Sequence, residues 1–332
     1  MAGSDWADVP APLAENIFRR VGDRSPEEAP HPGAGTAAAR LVCRRWSALS
    51  TAGIRKLRPK RFFPGLATWP SLTALDLGGC NSTDNIIRRL RHFGRLTDLD
   101  LGSSEVTLSG LVYLRPLTAL RTLCLCDTDI GERELEEVAR HRSLTSLNIH
   151  SCELLTDDAL QRLRPLTALT ALFLDTSFAV TDAGVAVVQW MPHLRELDMN
   201  CTGGVTDVGV LTIATLTNLT ALGLRETKEM TPAGLRALWK LTALTSLDLF
   251  GCGCRDLRPP PLQLRPITDD HLVWLSTCLQ RLEVLDLRGI GSVKMDADGH
   301  WDHTADLDEP TTITAAGVAR LRGGLPGCEI AF

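Results

Sequence analysis

Leu-Thr-Ala-Leu-Asp-Leu-Gly-Gly-Cys, residues 72–80, is the first copy of a nine-residue template, L-x-x-L-x-L-x-x-(C/S/T), that recurs along this 332-residue chain. Successive copies are 24 or 25 residues apart until the last step, which is longer. The nine copies begin at Leu72, Leu96, Leu120, Leu144, Leu169, Leu194, Leu219, Leu244 and Leu282. A fixed period of this length indicates a repeat array in which each repeat packs against its neighbours.

Each repeat contains a strand signal followed by a helix signal. Template positions four and six are apolar and alternate with polar residues, which predicts a short β-strand. Sequences such as V-T-D-A-G-V at 180–185 then place a capping Thr and an Asp at a helix start. The pattern predicts an α/β solenoid over residues 70–332, a horseshoe with parallel strands on its concave face and helices on its convex face. We expect about nine repeats and a closing half-repeat that starts at Leu325.

Position nine of the template carries small residues, which predicts a tight, partly buried turn with hydrogen bonds to the backbone. They are Cys80, Ser104, Thr128, Cys152, Ser177, Thr202, Thr227 and Cys252. Together with the V-T-D-x-G pattern, this composition resembles the cysteine-containing leucine-rich repeats common in F-box proteins. The cysteines at this position are therefore expected to be structural and not metal ligands or nucleophiles.

Residues 5–61 do not repeat and form a separate predicted module. A Val-Pro start, an Ile-Phe helix signal and V-C-R-R-W at 42–46 resemble an F-box. The resemblance implies that helices of this module dock on the adaptor of an SCF-type ubiquitin ligase, which also contains a cullin. The expected adaptor contacts are Val9, Pro10, Leu13, Ile17 and Phe18. The alternative is that these helices only cap the first repeat, since solenoids need capped ends.

Composition and charge exclude several classes of protein. There is no run of 18 apolar residues, so we expect no membrane span. The acidic N-terminus is unlike a signal peptide, which favours an intracellular protein, cytoplasmic or nuclear, with ten reduced cysteines. Residues 1–70 hold 11 Lys/Arg and 6 Asp/Glu, while the whole chain has a net charge of −5. No nucleic-acid partner is expected, and the basic run at 55–61 is either a linker or a localisation or acid-binding signal.

Strand alternation selects the candidate target-binding residues. If positions four and six face the core, positions five and seven lie on the opposite face of the sheet. The expected target contacts are Asp76, Asp100, Asn148, His150, Phe173, Asp175, Asp198, Asn200, Arg225, Asp248, Phe250, Asp286 and Arg288. Neighbouring aspartates would repel one another across adjacent strands and so favour a basic partner. Alternatively, they only keep the sheet soluble.

Phe173 and Phe250 are expected to be exposed aromatic anchors for a partner. Two insertions lengthen the last repeats: a proline-rich stretch at 255–266 and an acidic stretch at 293–310. We expect a stiff loop and a mobile loop there, and both could border the same partner site. The acidic stretch fails the spacing of a calcium loop.

No catalytic or cofactor motif occurs, so the chain is expected not to be an enzyme and to need no cofactor. Cys124 and Cys126 lack enough neighbouring ligands for a metal site. The leading interpretation is a substrate-recognition subunit of an SCF-type E3 ubiquitin ligase, acting in ubiquitin-dependent protein catabolism. A leucine-rich-repeat scaffold without a ligase is one alternative. The other is a regulator that covers an enzyme's surface, as ribonuclease-inhibitor-like solenoids do.

Overall fold

The computed structural model describes residues 56–57, 72–80, 83–252, 267–288, 290, 294–295, 301–302 and 313–332. The chain divides into two compact units, Met1–Leu123 and Cys124–Phe332. The predicted adaptor contacts Val9, Pro10, Leu13, Ile17 and Phe18 lie outside the described residues, as does the insertion at 255–266.

The first unit contains parallel strands β1 (Lys56–Leu57), β2 (Ala74–Asp76) and β3 (Asp98–Asp100) with helices α1 (Asp84–Leu90) and α2 (Leu108–Val112). Leu57 of β1 lies opposite Leu75 of β2, so β1 continues the register of the repeats. Residues 56–57 of the predicted 5–61 module thus pair with the first strand of the repeats. Strand β4 (Thr122–Cys124) spans the boundary between the units.

The second unit continues the alternation of strands and helices. Its parallel strands run in the order β5 (Ser146–Asn148), β6 (Ala171–Phe173), β7 (Glu196–Asp198), β8 (Ala221–Gly223), β9 (Ser246–Asp248), β10 (Val284–Asp286) and β13 (Glu329–Ala331). Its helices are α3 (Glu132–Val138), α4 (Asp157–Gln161), α5 (Asp182–Val185), α6 (Asp207–Ile213), α7 (Pro232–Ala237), α8 (Asp269–Cys278) and α9 (Ala315–Gly324). Short 3₁₀ segments, Ala186–Trp190 and Leu238–Lys240, extend α5 and α7. The predicted fold class, an α/β leucine-rich-repeat solenoid, is confirmed.

Two further strands lie in the acidic insertion. Strands β11 (Lys294–Met295) and β12 (Trp301–Asp302) pair antiparallel, with Met295 opposite Trp301. The sequence predicts a mobile acidic loop at 293–310 and does not predict these strands, because two-residue strands give too weak a pattern to detect in sequence.

The core follows the template. In β5, Leu147 and Ile149 at positions four and six are fully buried, whereas Asn148 between them is half-buried. The position-one leucines are also buried, from Leu72 to Leu282. Stacking is what makes this core possible, because one short repeat buries too little apolar surface to offset the entropy of ordering its own backbone.

The turn after each strand uses an unusual backbone conformation. Position eight has a positive φ in every repeat where it is described, including Thr176 at 61° and Glu226 at 60°. This bend lets the N–H of Thr176 donate to the carbonyl of Asn200 in the next repeat, 2.8 Å away. The inter-repeat ladder thus continues beyond the strand, and its hydrogen bonds offset the strain of a left-handed β-branched residue.

Position nine behaves as the sequence predicts. The Thr202 hydroxyl is fully buried and donates to the carbonyl of Met199 at 2.7 Å. The Cys252 thiol is fully buried and donates to the carbonyl of Leu224 in the preceding repeat at 2.9 Å. Ser177 differs, because its buried hydroxyl has no hydrogen-bond partner among the described residues.

A carboxylate links consecutive helices. Asp182, the first residue of α5, accepts hydrogen bonds from the backbone N–H and the hydroxyl of Thr206, the N-cap of α6, at 2.8 and 2.6 Å. The Gly209 N–H donates to the same carboxylate at 2.8 Å. Equivalent Asp–Thr pairs are Asp84–Thr107, Asp157–Thr181, Asp207–Thr231 and Asp269–Thr314. The Thr-Asp sequence therefore starts one helix and holds the next one.

The register predicted for the closing half-repeat was wrong by two residues. Strand β13 places Ile330 opposite Leu285, so Ile330 occupies position four of the template. Leu325 instead ends α9, with its N–H bonded to the carbonyl of Leu321, as Leu279 ends α8. The sequence L-P-G-C-E-I imitates the template because its leucine closes α9 four residues before β13 begins at Glu329.

Candidate protein-binding face

The side chains at positions five and seven of β5–β10 define a surface that we call the strand face. It consists of Asn148, His150, Phe173, Asp175, Asp198, Asn200, Gly223, Arg225, Asp248, Phe250, Asp286 and Arg288. Parallel register sets Phe173 opposite Asp198, and Asp248 opposite Asp286. All these side-chain positions are half-buried except Arg288, which is exposed. The second unit therefore places the predicted residues from Asn148 to Arg288 on one surface.

Asp76 and Asp100 belong to the first unit. They lie opposite each other in β2 and β3, as the sequence predicts. Each accepts a hydrogen bond from the backbone N–H two residues ahead, Asp76 from Gly78 at 3.0 Å and Asp100 from Gly102 at 2.8 Å.

This turn recurs on the strand face and gives position five a structural role that the sequence analysis missed. The side chains of Asn148, Asp198, Asp248 and Asp286 accept from the N–H at position seven over 2.9–3.1 Å. Asp and Asn form such turns because a short side-chain oxygen reaches the backbone two residues ahead. The sequence signal for this turn is the Asp or Asn at position five. The alternation pattern alone does not distinguish a turn-forming side chain from one that keeps the sheet soluble.

Phe250 is the centre of an aromatic–cation cluster. The Arg225 guanidinium lies over its ring at 4.1 Å from the centroid, and the Arg288 guanidinium lies 5.5 Å from it. Arg288 also donates to both oxygens of Asp286, at 2.6 Å and 3.0 Å. Phe250 and Phe173 are half-buried and not fully exposed as predicted. For Phe250 the reason is that guanidinium groups lie against its ring, an attractive arrangement for aromatic faces.

Arg225 forms no ion pair among the described residues, and it is positioned by contacts with Asn200 and Phe250. Gly223 lies two residues before it and leaves space for Asn200, whose Oδ1 accepts the Arg225 N–H at 2.7 Å. The Arg225 Nε is buried without a hydrogen-bond partner in the described part of the chain. Arg225 therefore contributes to the strand face through the position of its guanidinium over Phe250.

The strand face carries more carboxylates than guanidinium groups. Burial, followed by the charges of Asp175 and Asp248, raises the pKa of Asp198. Burial and the charge of Asp286 similarly raise the pKa of Asp248. Burial also acts to raise the pKa of Asp286, but hydrogen bonds and charge from Arg288 outweigh it and lower that pKa. Crowded carboxylates of this kind favour a cationic partner.

His150 lies beside this acidic row. Its Nδ1 lies 3.4 Å from Oδ1 of Asp175, and Ser151 Oγ lies 3.3 Å from the same ring nitrogen.

Other exposed apolar residues were missed because the prediction considered only strand alternation. Phe178, next to position nine of its repeat, is 71% exposed. Trp190 and Trp239, in the 3₁₀ segments, are 53% and 51% exposed. They are not members of the strand face, which makes the tryptophans suitable comparison positions.

The described cysteines divide into buried and half-buried groups. Burial raises the pKa of Cys152, so this thiol stays protonated and unreactive. Cys124 and Cys126 are half-buried, and their Sγ atoms are 3.3 Å apart. Within the described ranges, no group of three or more His, Cys, Asp or Glu side chains could hold a metal ion. No described helix is long and apolar enough to span a membrane.

The chain has similarities to a known family model and to solved structures. A family model described as Leucine Rich repeat matches residues 191–214, which include β7 and α6. No curated protein matches the sequence. Among solved structures, internalin C2 from Listeria monocytogenes is similar at 21% identity, over 58% of this chain and 77% of that chain, with a TM-score of 0.46. Internalin F from the same organism is similar at 15% identity, over 83% of this chain and 94% of that chain, with a TM-score of 0.37.

Proposed function

We propose that this chain, a leucine-rich-repeat interaction scaffold, is the substrate-recognition subunit of an SCF-type E3 ubiquitin ligase. Residues 5–61 would dock the adaptor, and the strand face would hold the target. Ubiquitin transfer would occur on other subunits, so this chain would contribute proximity and orientation. It would act inside the cell, in the cytoplasm or nucleus.

The observation that carries the target-binding half is the cluster around Phe250. An aromatic ring flanked by Arg225 and Arg288 combines the residue types that contribute most to binding energy in protein interfaces. The surrounding Asp198, Asp248 and Asp286 supply negative charge. The proposed target is a protein surface with Lys or Arg side chains around an apolar centre.

The ligase half is supported by the V-C-R-R-W sequence at 42–46 and by the Val-Pro and Ile-Phe residues before it. To test it, the full chain is used to capture the adaptor and cullin, alongside a variant with Leu13, Ile17 and Phe18 changed to Ala. We expect the wild type to bind both proteins and the variant to lose both. Phe250→Ala is the matched control and should retain them. A wild type that binds neither adaptor nor cullin contradicts the ligase proposal.

A scaffold without ligase function is the second candidate. It is favoured by β1, because Lys56–Leu57 pair with β2 and make the end of the N-terminal segment part of the sheet. A segment that only caps the repeats would be joined to the sheet in this way. In that case the same triple variant would lower the free energy of unfolding of the first unit. Under the ligase proposal the variant changes adaptor binding and leaves that free energy unchanged.

A further inference from the structure

Cys124 and Cys126 place two thiols side by side on the surface of one repeat. They occupy positions five and seven of the template, their Sγ atoms are 3.3 Å apart, and both residues are half-buried. Both cysteines belong to the second unit. In the next repeat, Asn148 and His150 occupy the same two template positions.

The turn after the strand explains why the two sulfur atoms are so close. In a fully extended strand, side chains two residues apart point the same way but stand well separated along the chain. Here β4 ends at Cys124, and Asp127 has a φ of 55°. In the equivalent turns an Asp or Asn at position five folds forward onto the N–H of position seven, as Asn148 does onto His150. The same bend brings the Cys124 side chain toward position seven.

We propose that Cys124 and Cys126 form an oxidisable dithiol, a modification site that closes to an intrachain disulfide on reaction with a low-molecular-weight disulfide. The thiolate of one cysteine attacks the external disulfide and releases one thiol. The second cysteine then attacks the mixed disulfide and releases the other thiol. Two Cys thiols and one external disulfide thus become one protein disulfide and two small thiols, so electrons and protons balance.

The geometry requires only a small movement. A disulfide needs its sulfur atoms about 2 Å apart, so the two Sγ atoms must approach each other by a little over 1 Å. Side-chain rotation together with a small adjustment of the turn can supply this movement. The resulting ring includes one intervening residue, Leu125, and such a tight ring is strained. Strained and accessible disulfides are readily reduced, so the modification is reversible.

Four other described cysteines of the second unit are poorer candidates. Cys152 and Cys252 are buried and bonded to backbone carbonyls. Burial raises the pKa of Cys201 and of Cys328, which lowers their fraction of reactive thiolate. The proposed reaction is therefore favoured over modification of these four thiols, and it does not depend on whether the strand face binds a target.

Peptide mapping of the full chain tests this inference directly. The reduced protein is incubated with oxidised glutathione, denatured in N-ethylmaleimide and digested with trypsin. Cleavage after Arg121 and Arg133 yields peptide 122–133, in which Cys124 and Cys126 are the two cysteines. We expect this peptide to be lighter by two hydrogens, free of maleimide, and restored by dithiothreitol. Peptide 143–162, which contains Cys152, should carry maleimide instead.

Two controls make the result decisive. In Cys124→Ser, the remaining Cys126 should carry glutathione or maleimide, because no intrachain partner is left. A synthetic peptide 122–133 should oxidise at least about tenfold more slowly than the folded chain, because the fold holds the thiols together. The proposal is overturned if peptide 122–133 retains two maleimides, if it carries glutathione in the wild type, or if the synthetic peptide reacts equally fast.

Discussion

Gly209 shows how one repeat constrains single residues of the next. A Cβ at this position would overlap the Asp182 carboxylate of the preceding repeat and would approach Val205. Each described helix whose predecessor begins with Asp has glycine at the equivalent site; these glycines are Gly110, Gly184, Gly209, Gly234 and Gly317. Where the preceding helix begins with Leu, Glu or Pro, the residues at the glycine position are Glu134, Ala159 and His271, respectively. The glycine in V-T-D-x-G therefore depends on a neighbouring repeat.

Gly209→Ala should lower the free energy of unfolding by about 1–3 kcal/mol, because the added methyl group overlaps the Asp182 carboxylate. Without that overlap, Ala would be favoured in a helix by about 0.5–1 kcal/mol. Chemical denaturation measures the change. In an Asp182→Ala background the same substitution should cost much less, because the obstructing oxygens are gone. Additive effects of the two substitutions would contradict this explanation.

Asp269 makes the Asp–Thr link sensitive to pH. The hydroxyl of Thr314, and then its backbone N–H, lower the pKa of the Asp269 carboxyl. A carboxyl with a lowered folded-state pKa stabilises the fold above its unfolded pKa of about 3.9, and this contribution is lost as pH falls through the folded value. Thr314→Val should therefore raise the pKa of Asp269 in NMR titration. The difference in the free energy of unfolding between Thr314→Val and the wild type should become smaller as the pH falls.

Thr156→Val is the matched control for this pH dependence. Thr156 also caps a helix, and its side chain accepts a hydrogen bond from the Ala159 N–H. The preceding helix, however, begins with Glu132, whereas the linked repeats have Asp at that position. Thr156→Val should lower the free energy of unfolding through loss of the helix cap. This loss should not become smaller as the pH falls. The assignment to Asp269 would be contradicted if both valine variants showed the same pH profile.

The sequence alone predicts the buried leucines and the threonine caps, because both follow from local periodicity and hydrogen-bonding capacity. It does not predict why aspartate occurs at position five. Asp248 and its equivalents hold a turn that exists only once the strand has ended. A charge-based hypothesis from the sequence could not separate this structural role from partner binding.

At the scale of elements, the helices are held in sequence by their first residues. Asp157 at the start of α4 bonds the N–H and hydroxyl of Thr181, the N-cap of α5, at 2.8 and 2.6 Å. Because α4 and α5 have only five and four residues, they are too short to be stable alone. Their stability comes from packing and from these links.

Asp157→Ala and Asp158→Ala separate the inter-helix link from general charge effects. Both residues lie in the first turn of α4, but Asp158 is exposed and makes no hydrogen bond within the described residues. Asp157→Ala should cost about 1.5–3 kcal/mol, the range for hydrogen bonds to a charged group. Asp158→Ala should cost about 0.3–1 kcal/mol through the helix dipole alone. Equal costs in denaturation experiments would contradict the link.

Elements were predicted well where the template was complete and poorly at the ends of the array. Helix starts at Asp157, Asp182, Asp207, Pro232 and Asp269 follow the Thr-Asp and Thr-Pro signals. At the C-terminus, Leu325 resembled position one but closes a helix, and at the N-terminus β1 lies in a basic stretch without the template. In both cases the position of the strand is decided by its pairing with a neighbouring strand. A local sequence pattern does not contain that information.

At the scale of the whole molecule, periodicity was sufficient to predict the α/β repeat fold. The contacts within the strand face were less accessible to prediction. Alternation places the predicted residues on one face of the sheet, yet the stacking of Arg225 and Arg288 on Phe250 joins repeats whose starts are 25 and 38 residues apart. The ligase interpretation rests on residues 5–61 and remains a proposal.

The strand face is proposed to hold the partner. The most direct test is quantitative mass spectrometry of proteins captured by the full chain, comparing Phe250→Ala and Arg288→Ala with Trp190→Ala and Trp239→Ala, after confirming that every variant is folded. We expect the strand-face variants to lose the same partners by about tenfold or more, as for interface anchors worth at least about 1.4 kcal/mol. The tryptophan variants should retain them. Loss of those partners with the tryptophan variants, and their retention with Phe250→Ala and Arg288→Ala, would show that the strand face does not hold the partner.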